Sequence, residues 1–133
     1  MSDAVGSSLG VRRIGQIALH VRDVARARAF YEDVLGLKHL FDAPPRMSFF
    51  DVAGVRLLLG EPERDATEQP SSIIYLDVGD IQAAHRALVG QGVDIVAEPH
   101  AMADLGDRVL WLGFFRDGEG NTLALSSEVP KSG

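Results

Sequence analysis

The sequence of 133 residues contains no cysteine, which removes disulfides, thiolate-bound zinc and thiol catalysis together. Although 46% of the residues are hydrophobic, no apolar run approaches the ~20 residues that a membrane-spanning helix needs. Basic clusters are missing as well. The 13 Lys and Arg are scattered singly or in pairs against 19 Asp and Glu, for a formal net charge of −6, so nucleic acid is not an expected partner. The opening MSDAVGSSLGVRR lacks a basic segment followed by an apolar core. That leaves a cytoplasmic location, with no membrane partner, as the expectation. The length suits one domain with one core.

What is present is a repeat. Residues 1–13, rich in Gly and Ser, read as a flexible leader. From Ile14 the run IALHV alternates like a half-buried strand. Asp23 is a plausible N-cap, Val24, Ala27, Phe30, Tyr31 and Val34 recur at helical spacing, and Gly36 stops the helix. KHLF, MSFFDV and VRLLLGE then read as three strands, the last two joined by the turn Ala53-Gly54. Residues 73–99 lay onto this first segment with Val78 on Val21, Asp80 on Asp23, Ile81 on Val24 and, after one deletion, Gly92 on Gly36. RVLWLGFF and NTLALSS close the second unit around RDGEGN. The implied fold class is α+β: two tandem βαβββ modules, at about 14–61 and 72–128 with a tail at 129–133, forming a curved mixed sheet with a concave pocket and helices on its outer face.

The segments ALHVRDVARARAFYEDVLGLKHL and FFRDGEGNTLAL resemble the vicinal oxygen chelate superfamily, which includes glyoxalase I, extradiol dioxygenases, fosfomycin-resistance enzymes and bleomycin-resistance proteins. The resemblance covers about residues 14–128. It implies four metal positions, one from the first and one from the last strand of each module, filled in the enzymes by His, Gln or Glu. Counting five residues back from the valine before each helix places these at Gln16 and Ile73. The hairpin strands offer Leu57 or Leu59, and the terminal strand Ala124. Leucine, isoleucine and alanine have no donor atoms for a divalent ion, so no metal is expected at the usual positions and no cofactor is expected.

Four residues further along each strand stand His20, Glu61, Asp77 and Glu128. They are either a displaced metal set or polar strand ends that reach water. His85, at the repeat position of Arg28, reads as a surface residue, and His39 as an exposed residue of the connection after the first helix. His100 falls in EPHAMADLGDRVLW, read as a long loop, where it is a candidate general base on a lid or an exposed loop histidine. His20 is the other catalytic candidate. Trp111 is either core or a stacking platform, and Tyr75 either offers its hydroxyl to a ligand or belongs to the core.

The reading that follows is a small-molecule-binding relative of the glyoxalase and bleomycin-resistance proteins without the usual metal centre. Its ligand would sit in a cavity enclosed by a homodimer and lined by Gln16, His20, Tyr75 and Asp77 with Phe49, Leu57, Leu59, Trp111 and Ala124. The net charge favours a cationic or neutral ligand. The alternative is a metal-dependent lyase, isomerase or dioxygenase of the same superfamily, using His20 with Glu61 or Asp77. A purely structural module has no positive feature in its favour.

Overall fold

The computed structural model describes residues 9–62 and 72–132. The first eight residues of the expected leader lie outside that range. The first module is β1 (Gln16–His20), α1 (Val24–Ala29), β2 (Lys38–Ala43), β3 (Met47–Val52) and β4 (Val55–Gly60). The second is β5 (Ile74–Asp77), α2 (Ile81–Gly90), β6 (Asp94–Asp104), β7 (Arg108–Arg116) and β8 (Thr122–Pro130). Each builds a four-stranded mixed sheet, ordered β1-β4-β3-β2 and β5-β8-β7-β6. The first strand of each module runs parallel to the last, and the other pairs are antiparallel. This is the duplicated α+β architecture that the repeat implied, and among the described residues no strand closes either sheet into a barrel.

Local chemistry explains the helices. The Asp23 carboxylate accepts from Arg26 N at 3.1 Å and Asp80 accepts from Ala83 N at 3.0 Å, so each helix starts at its cap. After α1 the chain continues as one π-helical stretch, Phe30–Val34, in which Leu35 N reaches back to Phe30 O at 3.1 Å. The β3-β4 hairpin turns on Ala53 and Gly54, with φ of 50° and 91°. Two positive φ values suit the right-handed twist of a two-residue hairpin, and the alanine is the strained member.

Three local expectations are corrected. The segment with His100 is not a loop: residues 94–104 pair with β7 as an eleven-residue strand with irregular register, because its alternating side chains find partners there. His39 lies within β2, its ring edge-on to Phe50 at 5.3 Å, and its Nε2 meets Asp42 Oδ1 at 2.8 Å. β8 continues through Val129 and Pro130 into the expected tail.

One apolar core joins the modules on the helix-bearing faces of both sheets. It includes Leu19, Tyr31, Phe50 and Leu59 from the first and Leu88, Phe115 and Leu123 from the second. Beside it the β7-β8 turn is pressed against the start of α1. Tyr31 donates its hydroxyl to Asp117 Oδ2 at 2.7 Å, and Asp117 Oδ1 accepts the N–H groups of Glu119 and Asn121 at 2.7 and 3.1 Å. Asn121 Nδ2 donates both to Asp117 Oδ2 and to His20 O, at 2.9 Å each. Glu119 Oε1 accepts from Arg22 N at 2.8 Å and Asp23 N at 3.0 Å, and its Oε2 accepts from Arg26 Nε.

Burial pushes the Glu119 carboxyl up, but the Arg26 side chain and the two backbone donors outweigh it and hold the group below the usual carboxylate range. Burial, reinforced by the Asp117 charge and hydrogen bond, raises the Tyr31 hydroxyl far above its ordinary value. Among the described residues every buried side-chain polar atom has a partner, as a buried network requires. Nor is any helix among them long and apolar enough to cross a membrane.

Candidate ligand-binding face

Register assigns each strand residue to the helix-bearing face or the opposite, open face, because directly paired residues point the same way. In the first module three rows cross the open face. The first is Gln16, Arg56, Asp51 and Lys38; the second is Ala18, Leu58, Phe49 and Phe41; the third is His20, Gly60, Met47 and Ala43. In the second module the corresponding rows are Tyr75, Ala124 and Phe114, then Asp77, Ser126, Leu112 and His100. The rows alternate polar and aromatic character, and Gln16, Ala18, His20, Tyr75 and Asp77 are all exposed.

Gln16, His20, Phe49, Tyr75 and Asp77 therefore lie on open faces. Leu57 and Leu59 do not. They are 5% and 0% exposed and belong to the core, since β4 offers the open face only Arg56, Leu58 and Gly60. Trp111 pairs with Ser127, on the face opposite Leu112, and packs against the core; the core alternative holds for it. Ala124 has open-face parity but is fully covered. Its methyl stands in the row between Tyr75 and Phe114, whose rings meet edge-to-face at 6.2 Å. A ligand there would touch those rings rather than the alanine.

The register also corrects the metal count. Val21 and Val78 are equivalent, so Ala18, paired with Leu58, corresponds to Tyr75, paired with Ala124. Leu58 is thus the first-module counterpart of Ala124. The four family positions hold Gln16, Leu58, Ile73 and Ala124, with one side-chain oxygen among them. This donor set does not fit a divalent ion. Of the displaced set, Glu61 is turned to α1, where its Oε2 accepts from Val24 N at 2.9 Å and Oε1 lies 3.6 Å from Arg46 Nε. His20, Asp77 and Glu128 keep open-face parity on separate strands, and among the described residues no three His, Asp or Glu are placed to hold an ion.

The aromatic groups are better organised. Phe41 and Phe49 stack at 4.6 Å between centroids, and the Arg56 guanidinium lies 6.0 Å and 5.8 Å from their centres. Sequence reading missed Phe41, Arg56 and Leu58; the uniform run Leu57-Leu58-Leu59 hides the face of β4. His100 Nδ1 donates to Glu98 O at 2.8 Å, which leaves Nε2 as the free ring nitrogen.

A second concavity, a cleft of about 650 Å³, separates the modules on the helix side. Ile17, Val34, Leu57, Ile74 and Leu88 line it, with Tyr75 and Asp77 along the edge of β5. Its walls mostly continue the apolar core, and Arg56 lines it as well. The open faces carry stacked rings beside polar groups such as Gln16 and Arg56.

Residues 13–125 match the family model described as the Glyoxalase/Bleomycin resistance protein/Dioxygenase superfamily. The uncharacterised YetH of Bacillus subtilis (strain 168) is 27% identical over 124 residues, taking in 86% of this chain and 98% of that protein. A solved member of the superfamily from Sphaerobacter thermophilus superposes with a TM-score of 0.75 at 24% identity, covering 89% of this chain and 98% of its own. Lactoylglutathione lyase from Agrobacterium tumefaciens gives 0.71 at 21% identity over 88% and 94%. At these identities the two structures speak for the fold alone.

Proposed function

Because this chain belongs to the glyoxalase/bleomycin resistance protein/dioxygenase superfamily, we propose that it binds a small organic molecule on the open faces of its sheets without a metal centre at the superfamily positions. The observation behind this reading is the donor set: Gln16, Leu58, Ile73 and Ala124 supply one oxygen where a divalent ion needs several. What remains on those faces is a recognition surface of stacked rings, a guanidinium, an amide and two histidines.

A second copy completes the cavity in this proposal. Phe41, Tyr75 and Met102 are 45%, 53% and 53% exposed, and β1 and β5 are edge strands of their sheets. Large apolar groups and free edges on one chain favour burial against another. Light scattering on the full chain tests this, with twice the 14.3 kDa chain mass expected. Ala18→Arg, which puts a long cation at the centre of the open face of β1, should give a folded monomer. A wild-type monomer at micromolar concentration would refute the shared cavity.

A further inference from the structure

We propose that the ligand of the first module's open face is a planar aromatic carboxylate, its ring against Phe41, which Phe49 backs, and its carboxylate on Arg56 and Gln16. This rests on the open-face reading above and adds the ligand class. Two adjacent cross-strand rows support it. The row of Ala18, Leu58, Phe49 and Phe41 is apolar and ends in two stacked rings, one of them 45% exposed. The neighbouring row of Gln16, Arg56, Asp51 and Lys38 carries two cations and one anion, a local charge opposite in sign to the chain's net −6. Local groups at contact distance outweigh a screened long-range field, so the preference for cationic ligands drawn from net charge gives way here to an anionic one.

Arg56 is the informative residue. Among the described residues its guanidinium has no hydrogen-bond or ion-pair partner; it lies near the two rings, and the residue also lines the cleft between the modules. In the second module Arg116 is instead paired with Asp94 at 3.3 Å. Arg56 stands directly opposite Gln16, the first-module residue at a superfamily metal position. Where a metal would meet paired oxygens, this chain offers a planar fork of N–H donors that matches a carboxylate. An aromatic ring one row away is what Phe41, stacked on the buried Phe49, is disposed to meet.

The test uses 2-naphthoate, its neutral counterpart 2-naphthalenemethanol and the non-aromatic cyclohexanecarboxylate, titrated calorimetrically into the full chain, with amide shifts recorded by NMR. 2-Naphthoate should bind tightest of the three and shift the amides of Ala18, Phe49 and Leu58. Arg56→Met should weaken naphthoate by about tenfold or more and leave the alcohol within about twofold, since only the anion loses charge-assisted bonds. Phe41→Leu should weaken both aromatic probes. Equal weakening of acid and alcohol by Arg56→Met, or no binding of naphthoate at millimolar concentration, overturns the ligand class while leaving the open face in place. Shifts confined to Ile17, Leu57 and Leu88, in the helix-side cleft, overturn the open-face reading itself.

Discussion

Glu119→Ala and Glu119→Gln should behave very differently. Both backbone donors, Arg22 N and Asp23 N, end on Oε1, while Arg26 takes Oε2. Alanine removes the acceptor of two N–H groups at the junction of the modules. Each donor left unsatisfied costs about 1–3 kcal/mol, and water entering beside Arg26 limits the sum to about 2–4 kcal/mol. Glutamine keeps an oxygen at the Oε1 position and with it both backbone bonds. It gives up charge and the Arg26 pair, whose arginine side chain is 60% exposed, so the loss is the smaller of the two.

At roughly 3–5 °C per kcal/mol for a chain of this size, calorimetry should show Tm falling by about 6–20 °C for alanine and clearly less for glutamine. Acid adds a sign. The folded carboxyl titrates below its ordinary 4.5, so its contribution is present above that pH and lost as pH falls through the lower folded value. The gap between wild type and Glu119→Gln should therefore close below about pH 4.5. Equal losses for the two variants would mean that the ion pair, not backbone acceptance, holds the turn, and the reasoning would fail.

Other expectations follow from single groups. Tyr31→Phe deletes the 2.7 Å bond to Asp117 and should cost about 1–2 kcal/mol in urea melts. Because the folded Tyr31 hydroxyl is raised above its ordinary 10.0, wild type should lose stability as pH rises beyond that value, and Tyr31→Phe should lack this component. Leu59→Ala, in the core, should cost about 3–5 kcal/mol, and Leu58→Ala on the open face under about 1.5 kcal/mol; the reverse order would disprove the β4 register. Ala53→Gly should stabilise by a few tenths of a kcal/mol or more, since φ of 50° suits glycine better than alanine.

The sequence made the duplication and both helix caps readable because these signals are local: Asp23 and Asp80 sit at equivalent places and cap in the same way. Parity in β4 was not readable. Leu57, Leu58 and Leu59 are three like residues in succession, and only the pairing of Ala18 with Leu58 distinguishes the faces. The run around Trp111 in β7 is apolar without alternation for the same reason. The turn from Asp117 to Asn121 reads in the sequence only as a glycine-bearing turn. Its burial depends on Tyr31 and Arg22, more than eighty residues away in sequence, and no local pattern reports such docking. The three polar residues spaced by two, Asp117, Glu119 and Asn121, were the available hint.

Whether this member of the superfamily works at its open faces without a metal at the family positions is tested most directly by crystals soaked in Mn²⁺ or Zn²⁺ and measured at the metal's absorption edge. No anomalous peak is expected within bonding distance of Gln16 and a second protein donor. A peak there, removed by Gln16→Ala, would contradict that reading.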